Sequence, residues 1–177
     1  MEQKVSVWKA NLTNGIVLGL ISIVWTLVTY FMDLTFNRIV GLVYLVVVIV
    51  ILYFMIKSYR DNMLGGYITY GQSVGAGVVI FLYLAVIAAV FTYILYKFID
   101  PGLIDKQIAL SEEVMVKRGM PQQAIDASIS IQRKILVPEF SAPFSILGNM
   151  ITGTIMSLIV SIFTKKEGNP LVDIPEN

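Results

Sequence analysis

Four uncharged apolar runs, Ala10 to Met32, Ile39 to Ile56, Val74 to Tyr96 and Phe140 to Thr164, organise this chain. Crossing the hydrocarbon core of a bilayer at helical rise takes about 20 residues. A helix of a water-soluble bundle instead carries a polar stripe along one side, which breaks up an uncharged stretch of this length. The pattern therefore predicts four transmembrane helices, over residues 12–32, 39–56, 74–97 and 143–163.

The long connection between the third and fourth runs has its own pattern. Asp100-Pro101-Gly102 is a helix stop, and apolar residues then recur at Ile104, Ile108 and Met115 among charged positions, which is the mark of an amphipathic helix. Gly119 breaks it. Pro121 stands where a first helical turn tolerates proline. Ile125, Ile129 and Leu136 follow at spacings of four and seven until Pro138, so a second amphipathic helix completes a hairpin over residues 102–137. Its buried seam is expected to hold Ile104, Ile108, Ile125, Ile129 and Leu136, with Glu112, Lys117 and Arg133 facing water. The expected fold is an all-α integral membrane protein, one membrane domain over residues 1–177, with four transmembrane helices and an extracytoplasmic amphipathic hairpin between helices three and four. The hairpin either caps the bundle or headgroup layer, or offers a docking surface.

Charge changes this picture by orienting it. Lys4, Lys9, Lys57, Arg60, Lys165 and Lys166 lie in short segments on one side, while the short first loop on the other side offers only Arg38. Basic residues of short loops stay in the cytoplasm, so both termini are expected there and the hairpin outside. The first run is expected to be a retained helix and not a signal peptide, because it is long and lacks a small-residue cleavage site before Asp33. Among 177 residues there is no cysteine and no histidine, which removes disulfides, thiolate metal sites and the commonest metal ligand. An enzyme or ion-coupled carrier places an ionisable group inside a span; none of the four runs contains one away from its ends. Asp33, Arg38, Lys97 and Asp100 at the outer boundary are read as interfacial anchors. No catalytic residue, cofactor or metal is expected. Small residues four apart, Gly15 with Gly19, Gly71 with Gly75, Ser73 with Gly77, Gly148 with Thr152 and Gly153 with Ser157, predict close helix packing. Asn14, Gln72, Asn149 and Thr152 are the expected polar links between helices.

The segment Lys57 to Gly77 is unusual for a turn. Arg60 and Asp61 are adjacent, about 100° apart on a helix, which predicts that each seeks its own partner. Gly65-Gly66 permits a bend with exposed amides. Arg60, Asp61, Gly65, Gly66 and Gln72 are accordingly the candidate site for an anionic headgroup or a partner protein. The plainer alternative is an elbow with an interfacial half-helix anchored by Tyr67 and Tyr70. Tyr59-Arg60-Asp61-Asn62, with Gly65-Gly66-Tyr67-Ile68 and Tyr70-Gly71-Gln72, resembles the recurring signature of the bacterial membrane proteins grouped as domain-of-unknown-function family 4199. Tyr96 to Pro101 and Gly153 to Lys166 are similar to other landmarks of that family. The resemblance implies a four-span protein of the inner membrane of Bacteroidota-type bacteria. It attaches no activity, and it suggests a link by gene neighbourhood to polyprenyl-phosphate glycosyltransferases. The resulting expectation is a non-catalytic accessory or scaffold subunit, possible as a homo-oligomer, with a small carrier or flippase-like handler of an anionic or lipid-linked substrate as the alternative.

Overall fold

The computed structural model describes residues 6–168. It is all-helical: α1 (Val7–Phe31), α2 (Arg38–Met63), α3 (Tyr70–Ile94) ending in a π turn (Leu95–Ile99), α4 (Gly102–Lys117), α5 (Gln122–Ile135) and α6 (Pro138–Thr164). Among the described residues, extended pairing is confined to one isolated bridge, Ile68 with Lys166. Val7–Phe31, Arg38–Met63, Tyr70–Ile99 and Pro138–Thr164 are long and apolar enough to cross a membrane.

Local chemistry sets the helix ends. The Asn37 side chain accepts hydrogen bonds from the amides of Ile39 and Val40, at 2.9 and 3.2 Å, and starts α2. Asp100 accepts the Gly102 amide at 3.0 Å ahead of α4. Gly119, at φ +70°, ends the turn that follows α4. The helices outrun the uncharged runs, because Lys57, Arg60 and Asp61 sit comfortably in a helix that has left the apolar layer. α2 continues to Met63 and stops where Gly65 and Gly66 take φ of +65° and +88°. No separate half-helix lies between α2 and α3, and the elbow is six residues, Leu64 to Thr69.

The chain divides into two compact units, with boundaries at 84/85 and 148/149. In the first, Leu18, Leu52, Ile56, Ile80 and Leu84 are fully buried. Three glycines mark its tightest packing. A Cβ on Gly15 would overlap Tyr83, one on Gly77 would overlap Ser157, and one on Gly153 would overlap Phe81. Gly71, Gly75 and Gly148 meet nothing, so only part of the small-residue pattern reports close approach. The polar links between helices also differ from expectation. Asn14 bonds to Asn11 of its own helix, while hydroxyl groups do the bridging: Ser22 with Tyr44, Ser73 with Thr164 at 2.7 Å, and Tyr70 to the Leu158 carbonyl at 3.2 Å. Short hydroxyls suit this role because they also satisfy themselves on the carbonyl one turn back, as Ser22 does on Leu18.

The second unit contains the hairpin. Leu103, Ile108, Met115 and Ile125 are buried, and Ile104, Ile129 and Leu136 are half-buried. Lys117 and Arg133 are exposed, whereas Glu112 is half-buried instead of facing water. Gln132 to Ser111, at 3.1 Å, and Arg133 to Asp105, at 3.1 Å, tie α5 to α4. Lys117, one turn on from Glu113 at 2.6 Å, holds that carboxyl below its ordinary pKa.

Apolar side chains of the long helices point outward. Val46, Val50 and Phe54 of α2 are 61%, 49% and 59% exposed, and only 17% of the most apolar stretch of that helix is buried. In water, a contiguous surface of this kind would drive aggregation. A bilayer is the solvent that accepts it.

Candidate functional site

α2, the elbow and the end of α6 meet at one end of the first unit, and the residues singled out by sequence gather there. Arg60 is the hub. Its Nε donates to Asp61 Oδ1 at 2.7 Å and its Nη2 to Asp61 Oδ2 at 3.2 Å, a forked pair between chain neighbours. Its Nη1 donates to the carbonyl of Thr164, the last residue of α6, at 3.0 Å. The expectation that the two charges seek separate partners is therefore corrected. The guanidinium is long enough to curl back on the adjacent carboxylate while still reaching a second helix. Placing a cation on the last carbonyls of α6 also matches the negative end of that helix's dipole.

Gly65 and Gly66 form the bend, and the Gly66 amide donates to the Arg60 carbonyl at 3.0 Å, so it is engaged within the turn. Gln72 belongs to a capping box. Its Oε1 accepts the Thr69 amide at 3.0 Å, and Thr69 Oγ1 accepts the Gln72 amide at 3.3 Å. The signal Thr69-Tyr70-Gly71-Gln72 stands in the sequence; it is hidden there by reading Gln72 as a ligand group.

Residues outside the sequence-derived set complete the site. Ile68, 1% exposed, exchanges two backbone hydrogen bonds of 2.9 Å with Lys166. The Lys166 ammonium lies 5.4 Å from the centre of the Tyr67 ring. Tyr67, Ile68, Thr69, Gln72, Lys166 and Glu167 line a shallow notch of about 300 Å³. No sequence pattern announces this pairing, since Ile68 and Lys166 are far apart in the chain. What the arrangement does chemically is join the elbow to the end of α6. Among the described residues no three His, Cys, Asp or Glu side chains come together as a metal site would need.

The profile of the family described as "Protein of unknown function (DUF4199)" matches residues 13–166, nearly the whole chain. The chain belongs to the DUF4199 family. Comparison with the curated proteins and with the solved structures gives no match. The matched range of the DUF4199 profile runs from within α1 to Lys166, so the junction of elbow and α6 lies inside it.

Proposed function

We propose that the chain is a non-catalytic, multi-pass protein of a bacterial inner membrane, with both chain ends in the cytoplasm and the α4–α5 hairpin outside, acting as an accessory or scaffold subunit. The observation that carries this proposal is the use of the buried polar groups. Among the described residues these are Asn11, Ser22, Thr29, Ser73, Ser157, Ser161 and Thr164, none of them ionisable. Asn11, Ser22, Thr29, Ser157 and Thr164 all bond to carbonyls of their own helix. Chemistry or ion coupling inside a span uses an ionisable group facing the interior. Arg60, the most suggestive charge, joins two helix ends instead. Lys57, Lys165 and Lys166 cluster at that end, whereas the short α1–α2 turn has Arg38 alone, which supports the orientation.

The test is chemical cross-linking in native membranes followed by mass spectrometry of what is attached. The expected result is a defined membrane partner captured through the hairpin or the exposed faces of the spans. Purified protein that moves an anionic or lipid-linked substrate across liposomes unaided would overturn the accessory role and favour a carrier.

A further inference from the structure

The second unit carries a groove whose polarity runs in the order of a phospholipid. Ala89, Val90 and Tyr93 of α3 and Ala142, Pro143 and Ile146 of α6 line an open groove of about 420 Å³, with Glu139 at one end. All of these residues lie on segments long and apolar enough to cross a membrane, so the groove opens towards acyl chains. From Glu139 to Ile146 it runs about 10 Å along α6 at helical rise. Apart from the Tyr93 hydroxyl and Glu139, the lining side chains have no polar atom.

The polar end is built from both helices. The Lys97 ammonium, in the π turn that ends α3, donates to Glu139 Oε1 at 2.6 Å and to the Tyr93 hydroxyl at 2.8 Å. An ammonium has three donors, and these two bonds leave one. The pair is open, with side chains 39% and 53% exposed. Pro143 has no N–H to return to the carbonyl of Glu139, four residues earlier. Glu139 thus presents a carboxylate and a backbone carbonyl without its helical donor, beside a cation with a donor to spare.

We propose that this groove is a binding site for one phospholipid with a zwitterionic, amine-bearing headgroup. The phosphate meets Lys97, the primary ammonium meets the Glu139 carboxylate and carbonyl, and one acyl chain lies along Ala89, Ala142 and Ile146. A purely anionic headgroup fits less well, because Glu139 faces the same mouth. A quaternary amine fits less well because it has no N–H to give. The site is independent of the accessory role proposed above.

Native mass spectrometry of the detergent-extracted protein, incubated with equal amounts of phosphatidylethanolamine, phosphatidylglycerol and phosphatidylcholine of identical acyl chains, tests this. The expected result is one retained phosphatidylethanolamine, favoured roughly two- to fivefold over each of the others, the factor an exposed charge pair supplies. Glu139→Gln should abolish the preference over phosphatidylglycerol. Ala142→Phe, which fills the groove, should release all three lipids with helical content unchanged by circular dichroism. If that variant does not fold, Val90→Trp closes the groove from its exposed side and carries the same expectation. Equal retention of the three lipids overturns the headgroup assignment. A filled groove that still holds lipid overturns the site, as does a lipid-free dimer, which would make a second copy the occupant.

Discussion

Arg60 and Asp61 leave α2 about 100° apart around its axis, yet the guanidinium meets both oxygens of its neighbour's carboxylate and the end of α6 besides. The direction of a Cα–Cβ bond constrains a short side chain, whereas an arginine has the length to override it. A lysine lacks the planar fork that meets both carboxylate oxygens while a further N–H reaches the α6 carbonyl. Arg60→Lys and Arg60→Gln are each expected to lower stability by about 1 kcal/mol, modest because Asp61 is partly exposed. Thermal unfolding in detergent is the measurement, and unchanged melting of both variants would remove Arg60 from the junction. Glycines divide in the same local way. Gly153→Ala drives a methyl into Phe81 and should cost about 1–3 kcal/mol, while Gly75→Ala meets open space and should be neutral or stabilising by about 0.5–1 kcal/mol. Similar losses for the two would mean that the Gly153–Phe81 contact is not what sets the packing.

Whole elements are more legible than their ends. Charge-free length alone locates the four long helices, because a membrane forbids charge on every face at once. The hairpin emerges from apolar spacing: of the expected seam Ile108 and Ile125 are buried and Ile104, Ile129 and Leu136 half-buried, while Met115, outside that seam, is buried too. Leu103 is also buried but escapes that pattern, because five residues before Ile108 it lies about 140° around α4 from it. The candidate site is less legible. Its residues do gather, but the sequence cannot say that Lys166 pairs with Ile68, a contact fixed by tertiary packing, and Gln72 shows that one polar residue can fit two patterns. For the hairpin the seam gives a clear contrast. Ile125→Asp places an unpaired charge at a site 1% exposed and should destabilise the protein by a few kcal/mol. Lys117→Glu breaks only an exposed pair within α4 and should be close to neutral. Equal melting temperatures in detergent would argue against a packed hairpin.

For the molecule as a whole, orientation in the membrane is the property that the proposed role depends on most. The chain has no cysteine, so single cysteines report cleanly. Asn62 and Gln122 are exposed on the elbow side and the hairpin respectively. A membrane-impermeant thiol reagent applied to intact spheroplasts should label Gln122→Cys at once and Asn62→Cys only after permeabilisation. The opposite pattern would invert the protein and put the Lys57, Lys165 and Lys166 cluster outside. The junction at that end also bears on how the protein is made. Ribosomes deliver Ile68 long before Lys166, and Arg60 long before Thr164, so when α2 and α3 first enter the bilayer the elbow between them has neither of its α6 partners. The turn made second in synthesis is thus finished last in assembly. Until the end of α6 arrives, Arg60 has Asp61 but not the Thr164 carbonyl, and Ile68 lacks both of its backbone bonds to Lys166, so the last helix is what completes a turn made much earlier.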